Sequence, residues 1–212
     1  MKMFTRVIAA SAFAAALPAS AAIVVLDFEG IGDLNPVADF YNGGGGTNYG
    51  VSFSADTLAI VDADAGGSGS FANEPSPDTV MFFLNADNAV LNYAAGFKTG
   101  FSFFYSSSTA ASVTVYDGVG ATGNVLGTLA LSAQGNDGCA GDPAGFYCNW
   151  TAVGVAFAGT AKSIDFGGTA NLTGFDNVTF GSDVPVVPEP GSYALMALGL
   201  AGIGLASRRR KA

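Results

Sequence analysis

Between Ile23 and Phe180, apolar residues recur at alternate positions in short runs and never sustain the spacing of a helix face. Tyr49, Val51 and Phe53 alternate with Gly50, Ser52 and Ser54. Phe101, Phe103 and Tyr105 fall on one face of their run, and Val113 and Val115 oppose Thr114 and Tyr116. This is the period of a half-buried strand. Segments rich in Gly, Asn, Asp and Pro, such as 42–47, 62–77, 85–88 and 120–124, separate the runs. The pattern predicts strands over 23–28, 49–54, 57–61, 79–84, 89–93, 100–106, 112–116, 125–131, 150–157, 162–166 and 174–180. About ten or eleven short strands at such spacing make an all-β, antiparallel β-sandwich of jelly-roll type.

Charge divides the chain into a middle and two ends. Lys2 and Arg6 precede it, and Arg208, Arg209, Arg210 and Lys211 follow it. From Asp27 to Asp183 there are two lysines, Lys98 and Lys162, against sixteen acids, a net charge of −14. Such a surface as a whole repels nucleic acid phosphates and anionic lipid and attracts hard cations that prefer oxygen ligands. Solubility of an exposed protein explains the same charge equally simply. The chain has no histidine, which excludes Ser-His-Asp and Cys-His catalysis and most catalytic zinc sites.

Residues 1–22 read as a secretory signal peptide, with a cationic start, the apolar stretch Val7–Leu17, and Pro18. Ala19, Ser20, Ala21 and Ala22 supply the small residues that signal peptidase needs, with cleavage after Ala21 or Ala22. The apolar stretch is too short for a permanent span. An exported chain meets an oxidising compartment, so Cys139 and Cys148, nine residues apart, are expected to staple a loop; two free thiols are the alternative. The pair lacks the close spacing of a redox motif.

Past the predicted ectodomain of 23–183, residues 184–190 form a proline-rich spacer that can be neither helix interior nor central strand. Residues 191–207 carry no charge and are long enough for a short membrane helix, and the basic residues of 208–212 then hold the cytoplasmic side. This three-part order, Val187-Pro188-Glu189-Pro190-Gly191, an apolar helix and an Arg cluster, resembles the PEP-CTERM sorting signal, a segment also catalogued as an ice-binding protein C-terminal domain. The resemblance implies a Gram-negative exporter, an exosortase that recognises Pro188, Glu189 and Pro190, passage by way of the inner membrane with the ectodomain in the periplasm, and delivery to the cell surface or extracellular matrix. An ordinary tail anchor with a proline spacer is the alternative.

In jelly rolls the first and last strands lie near one another. Asp27 and Glu29, two apart on the first, would project to one side, and Asp176 and Asn177 on the last could approach them. Oxygens from both strands could bind calcium. The pieces Asp-Phe-Glu-Gly and Phe-Asp-Asn-Val resemble the opening and closing of MAM-type and concanavalin-like jelly rolls, which implies the fold and, more weakly, a metal. Capping of turns by Asp27 and Asp176 is the alternative. A second acidic group, Asp62, Asp64 and Glu74, carries only a fragment of a calcium-loop spacing. The aromatics are expected in the core, with an exposed platform of Tyr41, Tyr49, Tyr147 and Trp150 as the alternative.

The sorting tail, the sandwich pattern and the absence of catalytic motifs favour a non-catalytic binding or structural module at the envelope, with exopolysaccharide as a candidate partner. A carbohydrate-active enzyme is a second expectation, although Glu29 and Glu74 are the only ectodomain glutamates and neither belongs to a paired-carboxylate strand motif. Ice binding is a third; the threonines form no regular array.

Overall fold

The computed structural model describes residues 23–134, 139 and 146–186. Nine strands follow in order: β1 Val24–Leu26, β2 Val51–Phe53, β3 Thr57–Val61, β4 Thr79–Phe83, β5 Asn88–Ser107, β6 Ala111–Tyr116, β7 Val125–Leu131, β8 Thr151–Gly167 and β9 Thr173–Phe180. All named pairings are antiparallel, and among the described residues there is no α-helix. None is therefore long and apolar enough to cross a membrane among those residues. The signal peptide, the proposed span 191–207, the residues Pro188, Glu189 and Pro190, and the basic tail lie outside the described residues.

Two predicted pairs of strands are in fact single long strands. Residues 89–93 and 100–106 belong to β5, and 150–157 and 162–166 belong to β8. The two pair along their whole length, from Asn88↔Gly167 to Tyr105↔Thr151, with register shifts between Asn92 and Thr99. The small residues that suggest turns in the sequence mark this shared corner. Gly96 (φ +75°) and Gly159 (φ +103°) adopt backbone angles that a side chain disfavours, so both strands bend together without separating.

The corner folds the sheet into two layers. In one, β3, β4, β9 and the second half of β5 lie side by side with the first half of β8, and β1 joins β9. In the other, β2, the first half of β5, the second half of β8, β6 and β7 pair in sequence. The core between them is aromatic. Phe166, in the second layer, meets Phe101, Phe103 and Phe175 of the first at ring-centroid distances of 5.8, 5.7 and 5.0 Å, all edge-on.

Beyond β9 the chain doubles over the outer face of the first layer. Gly181 N donates to Gly100 O (3.0 Å) and Ser102 Oγ donates to Ser182 O (2.9 Å). Gly100 and Gly154 give this strap its bed: a Cβ on Gly100 would stand 2.6 Å from Asp183 N, and one on Gly154 would collide with Asp183 O. Gly154→Val is expected to expel the strap and cost about 2–3 kcal/mol, a melting temperature lower by roughly 5–10 °C, with new proteolysis after Gly181. Unchanged melting and digestion would show that the strap contributes nothing.

Candidate functional site

A cleft of about 370 Å³ opens on the outer face of the first layer, at the end of β5 away from the strap. Its floor is built from outward-facing strand positions, Ile60, Val80, Ser106 and Gly174, whose sequence neighbours Ala59, Met81, Tyr105 and Phe175 point into the core. Two loops wall it. One brings Ser68, Ser70 and Phe71, and the other Phe146, Tyr147 and Trp150.

Hydrogen bonds knit the loops together. Phe146 N and Tyr147 N donate to Ser70 O (2.7 and 3.1 Å), Ala72 N donates to Tyr147 O (3.0 Å), and Trp150 Nε1 donates to Ala72 O (3.1 Å). Phe71 meets the Trp150 ring edge-on at 6.2 Å, and Gly174 lets that ring lie close to the sheet. The disulfide Cys139–Cys148 forms as expected, with Cα atoms 5.5 Å apart, and ties down the second loop two residues from Trp150. Asp33 steadies the first loop: its carboxylate accepts from Ser68 Oγ (2.9 Å), Ser68 N (3.3 Å) and Val61 N (3.0 Å).

The four aromatics weighed as a platform divide between two places. Tyr147 and Trp150 line the cleft, whereas buried Tyr41 stacks on Tyr49 at 6.3 Å and reaches toward β1. Phe71, the two serines and Asn171 of the cleft are legible in the sequence only as loop residues.

The acidic constellation does assemble, because β1 pairs with β9 at Leu26↔Val178. It assembles by bends and not by strand alternation. β1 ends at Leu26, and Phe28 takes φ +61°, so Asp27 and Glu29 share a tight turn in which Glu29 N donates to Asp27 Oδ1 (3.3 Å). On β9 a bulge opens opposite Phe103, where Asn177 takes φ +48° and re-aims Asp176 inward. Phe28 and Phe175 lie in the core, as expected.

Ser76, held between Pro75 and Pro77, stands at the centre of this group. Five oxygens surround its Oγ: Asp176 Oδ1 (2.8 Å) and Oδ2 (2.9 Å), Asp27 O (3.1 Å), Glu29 Oε1 (3.4 Å) and Thr79 O (3.4 Å). A hydroxyl carries one proton and cannot serve five acceptors. Backbone amides answer part of the charge: Ser76 N and Asn177 N bind Asp176, and Asp78 N and Thr79 N bind Glu29. Burial nonetheless pushes the Asp176 carboxyl up to about 7, with Glu29 adding repulsion. Burial likewise raises half-buried Glu74 to about 7, helped by Asp62, Asp78 and Glu29. Tyr41, whose hydroxyl accepts from Phe28 N (2.7 Å) and donates to Asp27 Oδ1 (3.4 Å), is raised by burial and by Asp27.

Asn177 is fully buried, and neither its amide oxygen nor its amide nitrogen has a hydrogen-bond partner among the described residues. No three Asp, Glu or Cys side chains there converge closely enough to grip an ion unaided. The oxygens around Ser76 are a mixture of two carboxylates and two backbone carbonyls. Of the second acidic group, Asp62 is buried and couples to Glu74, while Asp64 is exposed on its turn.

Comparison with known proteins adds an address and several distant structural likenesses. Residues 186–211 match the model of the PEP-CTERM protein-sorting motif, so the chain carries that motif and is an exported protein sorted at the membrane. No curated protein matches the chain. Among solved structures, a family 6 carbohydrate-binding module is 19% identical, with 61% of this chain and 85% of that chain covered and a TM-score of 0.37. The carbohydrate-binding module CBM6cm-2 from Cellvibrio mixtus lichenase 5A, in complex with cellotriose, is 17% identical over 59% of this chain and 86% of its own, at 0.36. A glycoside hydrolase family 43 arabinoxylan arabinofuranohydrolase from Bacillus subtilis is 20% identical over 61% of this chain but only 25% of that chain, at 0.38.

Proposed function

We propose that this protein is an exosortase-sorted component of the cell envelope or extracellular matrix whose β-sandwich binds a neutral glycan without cleaving it. The observation that carries the reading is the cleft walled by Trp150, Tyr147, Phe71 and Phe146 and dotted with Ser68, Ser70 and Asn171. Aromatic faces pack against the C–H faces of sugar rings, and hydroxyl and amide groups exchange hydrogen bonds with their hydroxyls. The acidic surface disfavours polyanionic ligands. Among the described residues no carboxylate lines the cleft, so those residues offer no acid–base pair for glycosidic hydrolysis.

Affinity electrophoresis of the protein through the exopolysaccharide of its own cell envelope tests the reading. Retardation is expected, and Trp150→Ala should weaken binding about 10- to 30-fold, as loss of a central aromatic anchor does. Tyr49→Ala, outside the cleft, should leave it unchanged. Migration indifferent to every neutral polysaccharide offered would reject glycan binding, and release of reducing ends would reject its non-catalytic half.

A second reading concerns calcium. The oxygens gathered around Ser76 and the unpartnered amide of Asn177 favour a structural cation held by Glu29, Asp176, Asn177 and the Asp27 carbonyl. Bound there, calcium would supply the positive charge that buried Asp176 and partly buried Glu29 lack and would tie the first strand to the last. Tyr41 and the amides of Ser76, Asp78 and Thr79 orient the oxygens.

A further inference from the structure

We infer that the corner end of the sandwich, where β5 and β8 bend, is a docking face for a bilayer with anionic phospholipid headgroups, leaving the aromatic cleft pointed away from the membrane. The inference rests on the reading of this chain as a membrane-sorted protein and adds which face meets the lipid.

The path of the chain supplies the first reason. Thr99 Oγ1 donates to Gly181 O (3.0 Å) and Gly181 N to Gly100 O, so the polypeptide leaves the fold at the corner. The strap is pinned as far as Asp183 over Gly100 and Gly154. From Val184 to the start of the uncharged segment at Gly191 there are seven residues, including Pro185, Pro188 and Pro190. Seven residues of any conformation reach at most about 25 Å. The cleft begins at Ser106, roughly 20 Å along β5 from Gly100. The tether is thus used up in reaching the cleft end, and the corner is the end that a membrane-inserted segment draws against the bilayer.

Charge supplies the second, independent reason. Both lysines of the ectodomain sit at this corner. Lys98 adjoins Phe97, which pairs with Ala161, and Lys162 follows directly, its Cγ within 3.5 Å of where a Gly96 Cβ would stand. Asp117, whose carboxyl is lowered chiefly by Asn124 and also by Lys162, and Asp183 of the strap are their acidic neighbours. Asp39, whose carbonyl accepts from Gly44 N, adds a third acid at the edge of this corner, so acids slightly outnumber the lysines there, whereas the remainder of the ectodomain carries acids alone. A body of net charge −14 can approach an anionic surface only by such an end, where its lysines reach the headgroups.

The surface itself suits an interface. The uncharged loop from Gly43 to Tyr49 lies at this corner, because Val51 pairs with Tyr93. The turn carrying exposed Val119 is tied there by Gly120 N to Asn92 Oδ1 (2.6 Å) and Ala121 N to Ser163 Oγ (2.9 Å). Tyr49, half-buried, and Val119 are residues that tolerate the headgroup boundary.

The full chain, reconstituted in phosphatidylcholine vesicles and separately in phosphatidylethanolamine–phosphatidylglycerol vesicles, tests the inference by acylation of lysines with a water-soluble reagent and mass spectrometry. Acrylamide quenching of Trp150, the only tryptophan, reports the cleft. Labelling of Lys98 and Lys162 should fall about five-fold in the anionic vesicles, with Trp150 equally quenched in both. Val119→Asp, on an exposed turn, should restore the labelling. Equal labelling in the two lipids, or shielded Trp150 with reactive lysines, overturns the docking face while leaving the membrane-sorted reading intact. Failure of the chain to float with either vesicle overturns that reading and the docking face together.

Discussion

Phe166→Ala should lower the melting temperature of the protein by roughly 10–15 °C, corresponding to a loss of about 3–5 kcal/mol. Phe166 is fully buried on β8 and is a central ring through which the two layers touch, meeting Phe101, Phe103 and Phe175. Three edge-on partners fixed on two other strands cannot all follow a shrinking side chain, so the cavity stays open. Phe166→Leu, which refills most of the volume, should recover part of the loss. Calorimetry of both variants at neutral pH decides it; a drop of only one or two degrees for the alanine variant would mean that the layers close over the gap.

In the presence of a chelator, the protein should melt higher at pH 5 than at pH 8, the reverse of ordinary acid denaturation. The Asp176 carboxyl stands at about 7 in the fold against 3.8 in an open chain, because burial disfavours its charge. Between those values the folded state holds a proton that the unfolded state has released, so stability declines as pH rises from about 4 to about 7. The full effect is on the order of 4 kcal/mol, and half-buried Glu74 adds in the same direction. Asp33 and Asp117, whose carboxyls lie below the usual range, lose stability only under more acid conditions. Calcium should invert the slope by binding the ionised form, raising the melting temperature most at pH 8. Asp176→Asn should flatten the slope and abolish the response to calcium. A chelated protein that gains stability toward pH 8 would contradict the buried, uncompensated carboxylate; an Asn variant that still responds to calcium would remove Asp176 from the ion.

The sandwich was legible because each strand declares itself locally. The run Tyr49–Ser54 alternates apolar with small residues and becomes β2, and 174–180 becomes β9 almost unchanged. What alternation cannot show is whether a gap is a turn or a corner. Residues 94–96 and 158–161 are small and could end a strand; only their mutual pairing across β5 and β8 keeps both strands continuous. The same distinction governs the sites. Asp27, Glu29, Asp176 and Asn177 could be gathered from the rule that first and last strands adjoin, yet the turn at Phe28 and the bulge at Asn177 that aim them are positive-φ conformations no alternation predicts. Ser76 was hidden in a segment read as loop, and the cleft was hidden more deeply still, since Phe71 and Trp150 are 79 positions apart and meet only because two loops cross.

The position of β9 has a mechanical consequence. It is bonded to β5 on one side and to β1 and β4 on the other, its first residues floor the cleft, and its last leads into the strap. Were the cleft to hold a polymer and the tail an anchor, as proposed, a tug between them would run lengthwise down one interior strand. Its flanking hydrogen bonds lie across that direction and must break together in shear, not one after another like a zip, which suits a grip that has to hold against flow.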